Sequence, residues 1–347
     1  MIKKASVIAV LTVLSGCRVD AAEPWTAVAR PVARRSAPRI LVIYDMEGLS
    51  GQDNVDSYVP PNPAYAGGQR LLTDDVNAVI EGLYAGGAAI VSVADGHGGS
   101  TQIDILTDEL DPRARMVTRA ASGDDAAAFD GIAIVGMHAK SGSGGFAAHT
   151  WTAGVEFVIN GHAVNEAELI GLTYGERDVP VIFVSGDDRL GAELSTMPWI
   201  EYVTVKKATG VATAQLYPLT DAHTNLTSGA QRAVERLAQA RVMKVSKPVQ
   251  ATVVAFPPGD LRWLADMPGI KYRDQTVSFT APDAQSAYRG LQAIGTAAMY
   301  GYSDALFRAL QPHADAKEIE LGAIAEWDEK WEASERARAK ARGNDKY

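Results

Sequence analysis

The chain has 347 residues, 47% of them hydrophobic, which is enough for a large buried core in one or two domains. Its formal net charge at pH 7 is -9. Because nucleic-acid binding relies on lysines and arginines against the phosphate backbone, we expect no nucleic-acid partner for this acidic chain.

The N-terminus has the pattern of an export signal. Two lysines precede an apolar run from Ala5 to Gly16 that is too short to span a bilayer as a helix. The sequence LSGC resembles the bacterial lipobox, which predicts processing and lipidation at Cys17, the only cysteine of the chain. The alternative is an ordinary secretory signal cleaved after Ala21. Either way we expect residues 1–17 to direct export, and a periplasmic or cell-envelope protein, membrane-anchored if Cys17 is lipidated.

Apolar runs and helical patterns alternate through the first half of the body. Residues 18–38 contain prolines and arginines and are predicted to be a linker. From Arg39 the run RILVIY is continuously apolar, as expected of a strand buried on both faces, and AAIVSVAD, GIAIVGM and VPVIFVSG are similar. The segment VEFVINGHAV alternates around an Asn-Gly turn and predicts a hairpin. Residues 39–210 are therefore expected to form an α/β domain with a largely parallel sheet flanked by helices.

The pattern changes in the last third of the chain. Helices and strands of mixed order predict a second, smaller α+β subdomain over residues 211–312. Residues 313–347 form a charged C-terminal extension, either a helix or a frayed tail. Trp327 and Trp331 are four residues apart and would share a helical face, which is suited to docking on the body of the chain or on another subunit.

Polar side chains follow three of the predicted strands. Asp45 and Glu47 follow the first, Asp95 and His97 the second, and His138 the third. Ligands of open α/β sheets bind beyond the carboxyl ends of the strands, so these groups are expected to converge. Carboxylates with imidazoles suit zinc, and this number of them suits two metals that share a bridging carboxylate. The alternatives are a helix-capping role for the aspartates and a structural role for each histidine.

Several motifs, taken in order and spacing, resemble those of the bacterial D-aminopeptidase family, zinc metallopeptidases associated with dipeptide-transport operons. The resemblance covers residues 39–302. It is carried by VIYDMEGLSG, ADGHGG, GMHAKSG, AAHTW, INGHAVNEAE, DVPVIFVSGDDR and LADMPG.

The resemblance implies a set of ligands for two zinc ions per chain. Asp45 matches the carboxylate that bridges both metals. Glu47 and His97 match the other ligands of one zinc, and His138 and Glu166 those of the second. For Glu166, at the start of a predicted helix, the alternative is a capping carboxylate.

The resemblance also implies a catalytic group, His149, which is not a ligand in the family and would act as general acid or base or stabilise the tetrahedral intermediate. The alternative is a structural histidine in a loop. Asp95 is expected to orient His97 or its loop. The glycine- and serine-rich loop from Lys140 to Trp151 is predicted to be a mobile lid.

The other polar residues are not expected to belong to the metal site. His162, His223 and His313 are interpreted as surface residues, and a helix N-cap explains Asp187 or its neighbour. Lys206 falls where the family has a lysine, and no role is assigned to it.

The sequence therefore predicts an exported dinuclear-zinc aminopeptidase that releases N-terminal, D-configured residues from short peptides, such as D-Ala-containing ones. Family members assemble into rings, so we expect a homo-oligomer. The alternatives are another metal-dependent hydrolase on the same scaffold, such as an L-aminopeptidase or an amidase, and a non-catalytic lipoprotein that binds peptide or metal.

Overall fold

The computed structural model describes residues 24–30, 37–60, 62–98, 103–117, 128–299 and 315–346. The predicted export signal with Cys17 lies outside these residues, and so does His313. Within the described part of the chain, no helix is both long and apolar enough to cross a membrane.

The strands are β1 (Trp25–Ala29), β2 (Arg39–Tyr44), β3 (Ile90–Asp95), β4 (Arg115–Met116), β5 (Gly131–Met137), β6 (Val155–Ile159), β7 (His162–Ala163), β8 (Val181–Asp187), β9 (Glu201–Gly210), β10 (Thr213–Leu216), β11 (Arg241–Val245), β12 (Val249–Ala255), β13 (Tyr272–Arg273) and β14 (Thr276–Ala281). The α-helices are α1 (Tyr65–Ala85), α2 (Glu166–Gly175), α3 (Asp188–Glu193), α4 (Leu219–Glu235), α5 (Ala284–Ala298) and α6 (Ala316–Ala341), called the C-terminal helix below.

A seven-stranded sheet in the order β10-β9-β8-β5-β2-β3-β4 forms the centre. Its strands run parallel except β10, which pairs antiparallel with β9. Side chains alternate along β2: Ile40 and Val42 face a core closed by α1 and α4, whereas Leu41 and Ile43 face the core that contains α2. Burial on both faces explains the continuous apolar runs and confirms the predicted largely parallel α/β sheet flanked by helices.

A second sheet has the order β13-β14-β12-β6-β7 and is antiparallel. The predicted hairpin is confirmed as β6–β7, and Asn160 and Gly161 turn it with φ of 48° and 86°, as a two-residue turn of this kind requires. Because β6 pairs with β12, this sheet joins segments from both sides of residue 210. The division into domains at that residue stays a prediction.

The N-terminal segment differs from the expected linker. Residues 25–29 form β1, which pairs antiparallel with β11. Trp25 is buried and meets the ring of Trp199 edge-on, with 5.9 Å between centroids. A large aromatic side chain within a short alternating stretch was the signal for this strand.

The charged C-terminal extension is a helix, packed on the body of its own chain. Its buried side chains are Ile324, Trp331, Glu335 and Ala339, which recur at helical spacing and define one face. Trp331 packs with Phe146 beside the loop that precedes β6. Docking on the body, one of the two options for this segment, is thus what the structure shows.

Candidate metal centre

The first two carboxylates are held by the loop that follows β2. Asp45 N donates to Val135 O at 2.8 Å, and Gly48 N donates to Gly136 O at 2.6 Å, so the loop is tied to β5. A Cβ at Gly48 would lie 2.0 Å from Met137 O, so only glycine permits this approach. The Asp45 and Glu47 side chains are buried, and each accepts a hydrogen bond from the backbone N–H between them.

His97 lies beside these carboxylates after β3. Its Nε2 atom is 3.5 Å from Glu47 Oε1, and its Nδ1 atom is 2.9 Å from Asp104 Oδ2. Asp104 also accepts a hydrogen bond from the Tyr65 hydroxyl. Asp104 therefore orients the His97 ring, and the expectation that Asp95 orients His97 or its loop stays a prediction. Asp104 lies in an irregular segment beyond the strand, where the local pattern gave no signal.

The other side of the centre contains His138 and Glu166. His138 Nε2 lies 3.4 Å from Asp45 Oδ2 and 3.3 Å from Glu166 Oε1. The N-terminus of α2 is capped by Asn165, whose side chain accepts from Glu168 N, while the Glu168 carboxylate accepts from Asn165 N. Because that capping box does not use Glu166, its carboxylate faces His138 instead.

His149 completes the cluster. Its ring stacks on His138 with 3.9 Å between centroids and 13° between planes. The Nδ1 atom lies 2.7 Å from Ala147 O, and Nε2 lies 3.9 Å from Glu47 Oε1. Its side chain is 14% exposed, against 1% for His138. The His149 ring therefore lies on the more open side of the centre.

The three imidazoles are oriented in the same way. His138 and His149 each place Nδ1 against a backbone carbonyl, and His97 places it against a carboxylate. A carbonyl only accepts, so Nδ1 carries the proton in the neutral rings of His138 and His149, and Nε2 presents a lone pair to the centre. This is the arrangement that metal-ligating or base-catalytic histidines need.

The donor set fits zinc. One group of side chains whose donor atoms lie within 4.8 Å of one another is Asp45, His138 and Glu166, and a second is Glu47, His138 and His149. Buried carboxylates packed this closely repel one another: burial, with the charges of Glu47 and Glu166, raises the pKa of Asp45 well above its ordinary value. A divalent cation offsets that repulsion, and carboxylates mixed with imidazoles suit zinc.

The two stacked histidines differ in acidity. Burial lowers the pKa of His138, but the neighbouring Glu166 outweighs it and raises that pKa to about 9. Burial and the adjacent His138 lower the pKa of His149 to about 4. His149 is therefore neutral at neutral pH, and a metal ion bound at these carboxylates would replace the proton on His138 Nε2.

Lys206 is a fully buried lysine to which the sequence assigned no role. Its Nζ atom donates to Glu47 O at 2.8 Å and to the backbone and side-chain oxygens of Gln52 at 3.2 and 2.9 Å. It also lies over the ring of Phe146, 3.9 Å from the centroid. These contacts hold the loop that bears Glu47.

The remaining polar residues lie where caps and ion pairs need them. Asp187 is the N-cap of α3 and accepts from Arg189 N and Leu190 N, as predicted. His162 and His223 are half-buried and lie 3.3 Å from carboxylate oxygens of Glu168 and Asp75. Each is paired at the surface and belongs to neither candidate ligand group.

The loop from Lys140 to Trp151 is not the mobile lid that its glycines and serines predicted. Residues 141–148 are buried. Gly142 and Gly144 take positive φ of 75° and 78°, so the glycines serve tight turning of a packed loop. The C-terminal helix covers this loop, which local composition did not indicate.

Sheet, loop and side chains together define an α/β protein with a candidate metal centre beyond the carboxyl ends of its parallel strands. The sequence model of the family described as D-aminopeptidase matches residues 39–293. The chain belongs to the D-aminopeptidase family.

Two relatives agree with this assignment. The chain is 27% identical over 273 residues to a protein described as D-aminopeptidase from Bacillus subtilis strain 168, covering 75% of this chain and 98% of that protein. It is similar, with a TM-score of 0.70 and 25% identity, to the solved structure of the Zn-dependent D-aminopeptidase DppA from Bacillus subtilis, described as a self-compartmentalizing protease. That likeness also covers 75% of this chain and 98% of the other.

Proposed function

We propose that this chain is an exported, zinc-dependent aminopeptidase that binds two zinc ions and releases N-terminal D-residues from short peptides. The observation that carries the proposal is the pair Asp45 and Glu47 on one rigid loop, with His97 on one side and His138 and Glu166 on the other. Asp45 would hold both ions, Glu47 and His97 would hold one of them, and His138 and Glu166 would hold the other.

Zinc bound here would lower the pKa of a water molecule towards neutrality and polarise the scissile carbonyl. The chain supplies the proton carrier. His149 holds its Nδ1 proton against Ala147 O, so its Nε2 lone pair faces Glu47 and the centre. Burial and the adjacent His138 lower the pKa of His149 to about 4, so the ring is neutral at neutral pH and its Nε2 is free to accept a proton from a reacting group as charge develops there.

A Trp151 N–H donates to Glu166 Oε1 at 2.7 Å. This bond ties the loop that bears His149 to a predicted ligand of the centre. The proton carrier and the metal ligands are thereby held in a constant geometry, which general acid–base catalysis requires.

The location and assembly form part of the same proposal. Lipidation at Cys17 would anchor the enzyme in the cell envelope, where D-Ala-containing peptides from the wall are available. A homo-oligomer is supported by the description of DppA as self-compartmentalizing. Replacing Cys17 with serine is expected to move the protein from the membrane fraction to the soluble fraction. The oligomeric state is measured separately, by gel filtration.

The first experiment measures zinc by elemental analysis in the protein that begins after Cys17, together with hydrolysis of matched D- and L-aminoacyl peptides. We expect about two zinc ions per chain and preference for the D-series. Asp45→Ala is expected to lose zinc and activity, while Asp53→Ala, an exposed aspartate on the same loop, keeps both. Preference for L-peptides would favour the L-aminopeptidase alternative, and bound zinc without turnover would favour the binding lipoprotein.

A further inference from the structure

The C-terminal helix buries a carboxylate against the His149 loop, defined as residues 140–149. Glu335 is fully buried although the helix around it is rich in charge. Its Oε1 atom accepts from Ser141 Oγ at 2.5 Å, and its Oε2 atom accepts from Gly142 N at 2.6 Å. A buried carboxylate is costly unless its oxygens are satisfied, so these two bonds help to fix the loop at Ser141 and Gly142.

Further contacts attach the same end of the loop. Arg338 Nε donates to Ser141 Oγ at 3.1 Å, and Arg342 Nη1 donates to Ser141 O at 3.0 Å. Both guanidinium groups also bind the carboxylate of Glu156 on β6, at 2.8 and 2.6 Å. The helix therefore joins the His149 loop to the second sheet.

The other end of the His149 loop is held by Trp331. Its indole Nε1 donates to Ala148 O at 3.3 Å, directly before His149 in the chain. The indole also packs with Phe146, whose ring lies beneath the Lys206 ammonium that binds Glu47 O. Contacts from one helix thus reach both the proton carrier and the loop of two predicted ligands.

This helix lies outside the family match, which ends at residue 293. Family membership therefore does not account for it. The alignment with the Bacillus subtilis relative covers 98% of that protein but only 75% of this chain. A quarter of this chain is therefore not aligned to it.

We propose that the C-terminal helix is a positioning element for catalysis, in which Glu335 and Trp331 fix the His149 loop so that His149 Nε2 stays beside Glu47. The inference rests on the proposed function only in taking His149 as the proton carrier. Neither residue touches the ligand side chains, so metal binding does not depend on them.

The test compares Glu335→Gln with Glu326→Gln, a matched control on the same helix whose carboxylate pairs with Lys330 and is largely exposed. The amide cannot accept both of the hydrogen bonds that the carboxylate accepts in the present geometry. We expect Glu335→Gln to keep its zinc and to lower kcat by about 10- to 100-fold with KM changed by less than about twofold. Glu326→Gln is expected to match the unmodified protein.

Hydrogen exchange gives the readout that does not require turnover. The peptide over residues 141–149 is expected to exchange faster in Glu335→Gln than in the control, while β2 and β5 exchange as before. Unchanged exchange over this loop, or unchanged kcat, overturns the proposal. If the unmodified protein holds zinc but cleaves no peptide, the proposed function fails, whereas faster exchange in the variant still supports the fixing of the loop.

Two further variants test whether a lower kcat comes from the lost contact or from a general loss of folding. Trp331→Phe removes the indole N–H and retains an aromatic ring, and Ser141→Ala removes one partner of Glu335. Because Ser141 and Glu335 act through the same bond, the combined Ser141→Ala and Glu335→Gln variant is expected to lose less kcat than the product of the single losses. Fully independent effects would contradict a shared positioning role.

Discussion

At the residue scale, His149 and His138 are stacked imidazoles with different expected tasks. Both direct Nε2 towards the carboxylates, but His138 lies within 3.4 Å of Asp45 and Glu166, whereas His149 approaches Glu47 at 3.9 Å. The shorter approaches suit a ligand, and the more exposed ring suits a proton carrier that meets substrate.

Replacing each histidine separates these tasks. We expect His149→Ala to keep most of its zinc and to lose about 10²- to 10⁴-fold in kcat, the usual contribution of general acid–base catalysis. His138→Ala is expected to lose zinc as well as activity. Elemental analysis beside steady-state kinetics measures both, and loss of zinc in His149→Ala would identify that ring as a ligand.

Lys206 permits a second test at this scale. Its ammonium makes three hydrogen bonds to the loop over residues 47–52. Lys206→Met keeps the length of the side chain but leaves those oxygens without their donor, so we expect stability to fall by about 1–3 kcal/mol. The exposed neighbour Lys207, changed in the same way, is the control, and denaturant unfolding is the measurement. Equal stability of the two variants would contradict a structural role for Lys206.

The sequence predicts those site residues whose position follows from the strand that precedes them. Asp45, Glu47, His97 and His138 follow apolar strands, so topology alone brings them together. Asp104 contacts His97 from an irregular segment seven residues later, and Lys206 reaches the loop over residues 47–52 from β9. The periodicity of the local sequence encodes neither contact. Glu166 needed the family resemblance, since a carboxylate at a helix start has the capping explanation as well.

At the element scale, the C-terminal helix places the carboxylate of Asp328 near two other acidic side chains, Asp56 and Glu332. Burial raises the pKa of Asp328 to about 7, and the charges of Asp56 and Glu332 add to that rise. A carboxyl group with a raised pKa in the folded state favours folding when protonated. This contribution is complete below the ordinary pKa of 3.8 and is lost as pH rises towards 7.

Removing that charge is therefore expected to stabilise the protein only at higher pH. Asp328→Asn should raise the free energy of unfolding by on the order of 1 kcal/mol near pH 8, and the gain should shrink as pH falls towards 4. Glu329→Gln, at an exposed position on the same helix, is the control for net charge. Chemical denaturation at several pH values provides the measurement, and a gain independent of pH would refute the burial argument.

The sequence predicts well those strands and turns that their own residues specify. The runs of β2, β3, β5 and β8 are apolar because both faces are covered, and the hairpin is specified by its Asn-Gly turn. The packing of the His149 loop was mispredicted because its cover comes from residues nearly 200 positions later, as in the Ser141 to Glu335 bond, separated by 194 positions. A glycine- and serine-rich composition indicates a flexible loop only when no other part of the fold covers that loop.

At the scale of the whole molecule, β1 shows that the folded body begins earlier than the family match. Trp25 is buried and β1 pairs with β11 through five residue pairs. A protein that starts at Arg39 loses this strand, and we expect it to be less stable than one that starts after Cys17 by roughly 2–4 kcal/mol. Thermal unfolding compares the two, with Trp25→Ala as the single-residue counterpart. Identical melting temperatures would mean that β1 adds nothing to the fold.

The position of the C-terminal helix in the chain also sets an order of maturation. Synthesis proceeds from the N-terminus, so every predicted metal ligand has emerged once the chain passes Glu166, and both sheets are complete at Ala281. The groups that hold the His149 loop, from Trp331 to Asn344, are the last to arrive. If the C-terminal helix positions His149 as proposed, a nascent chain assembles the predicted ligand set first, and we expect full activity only after this last helix has emerged.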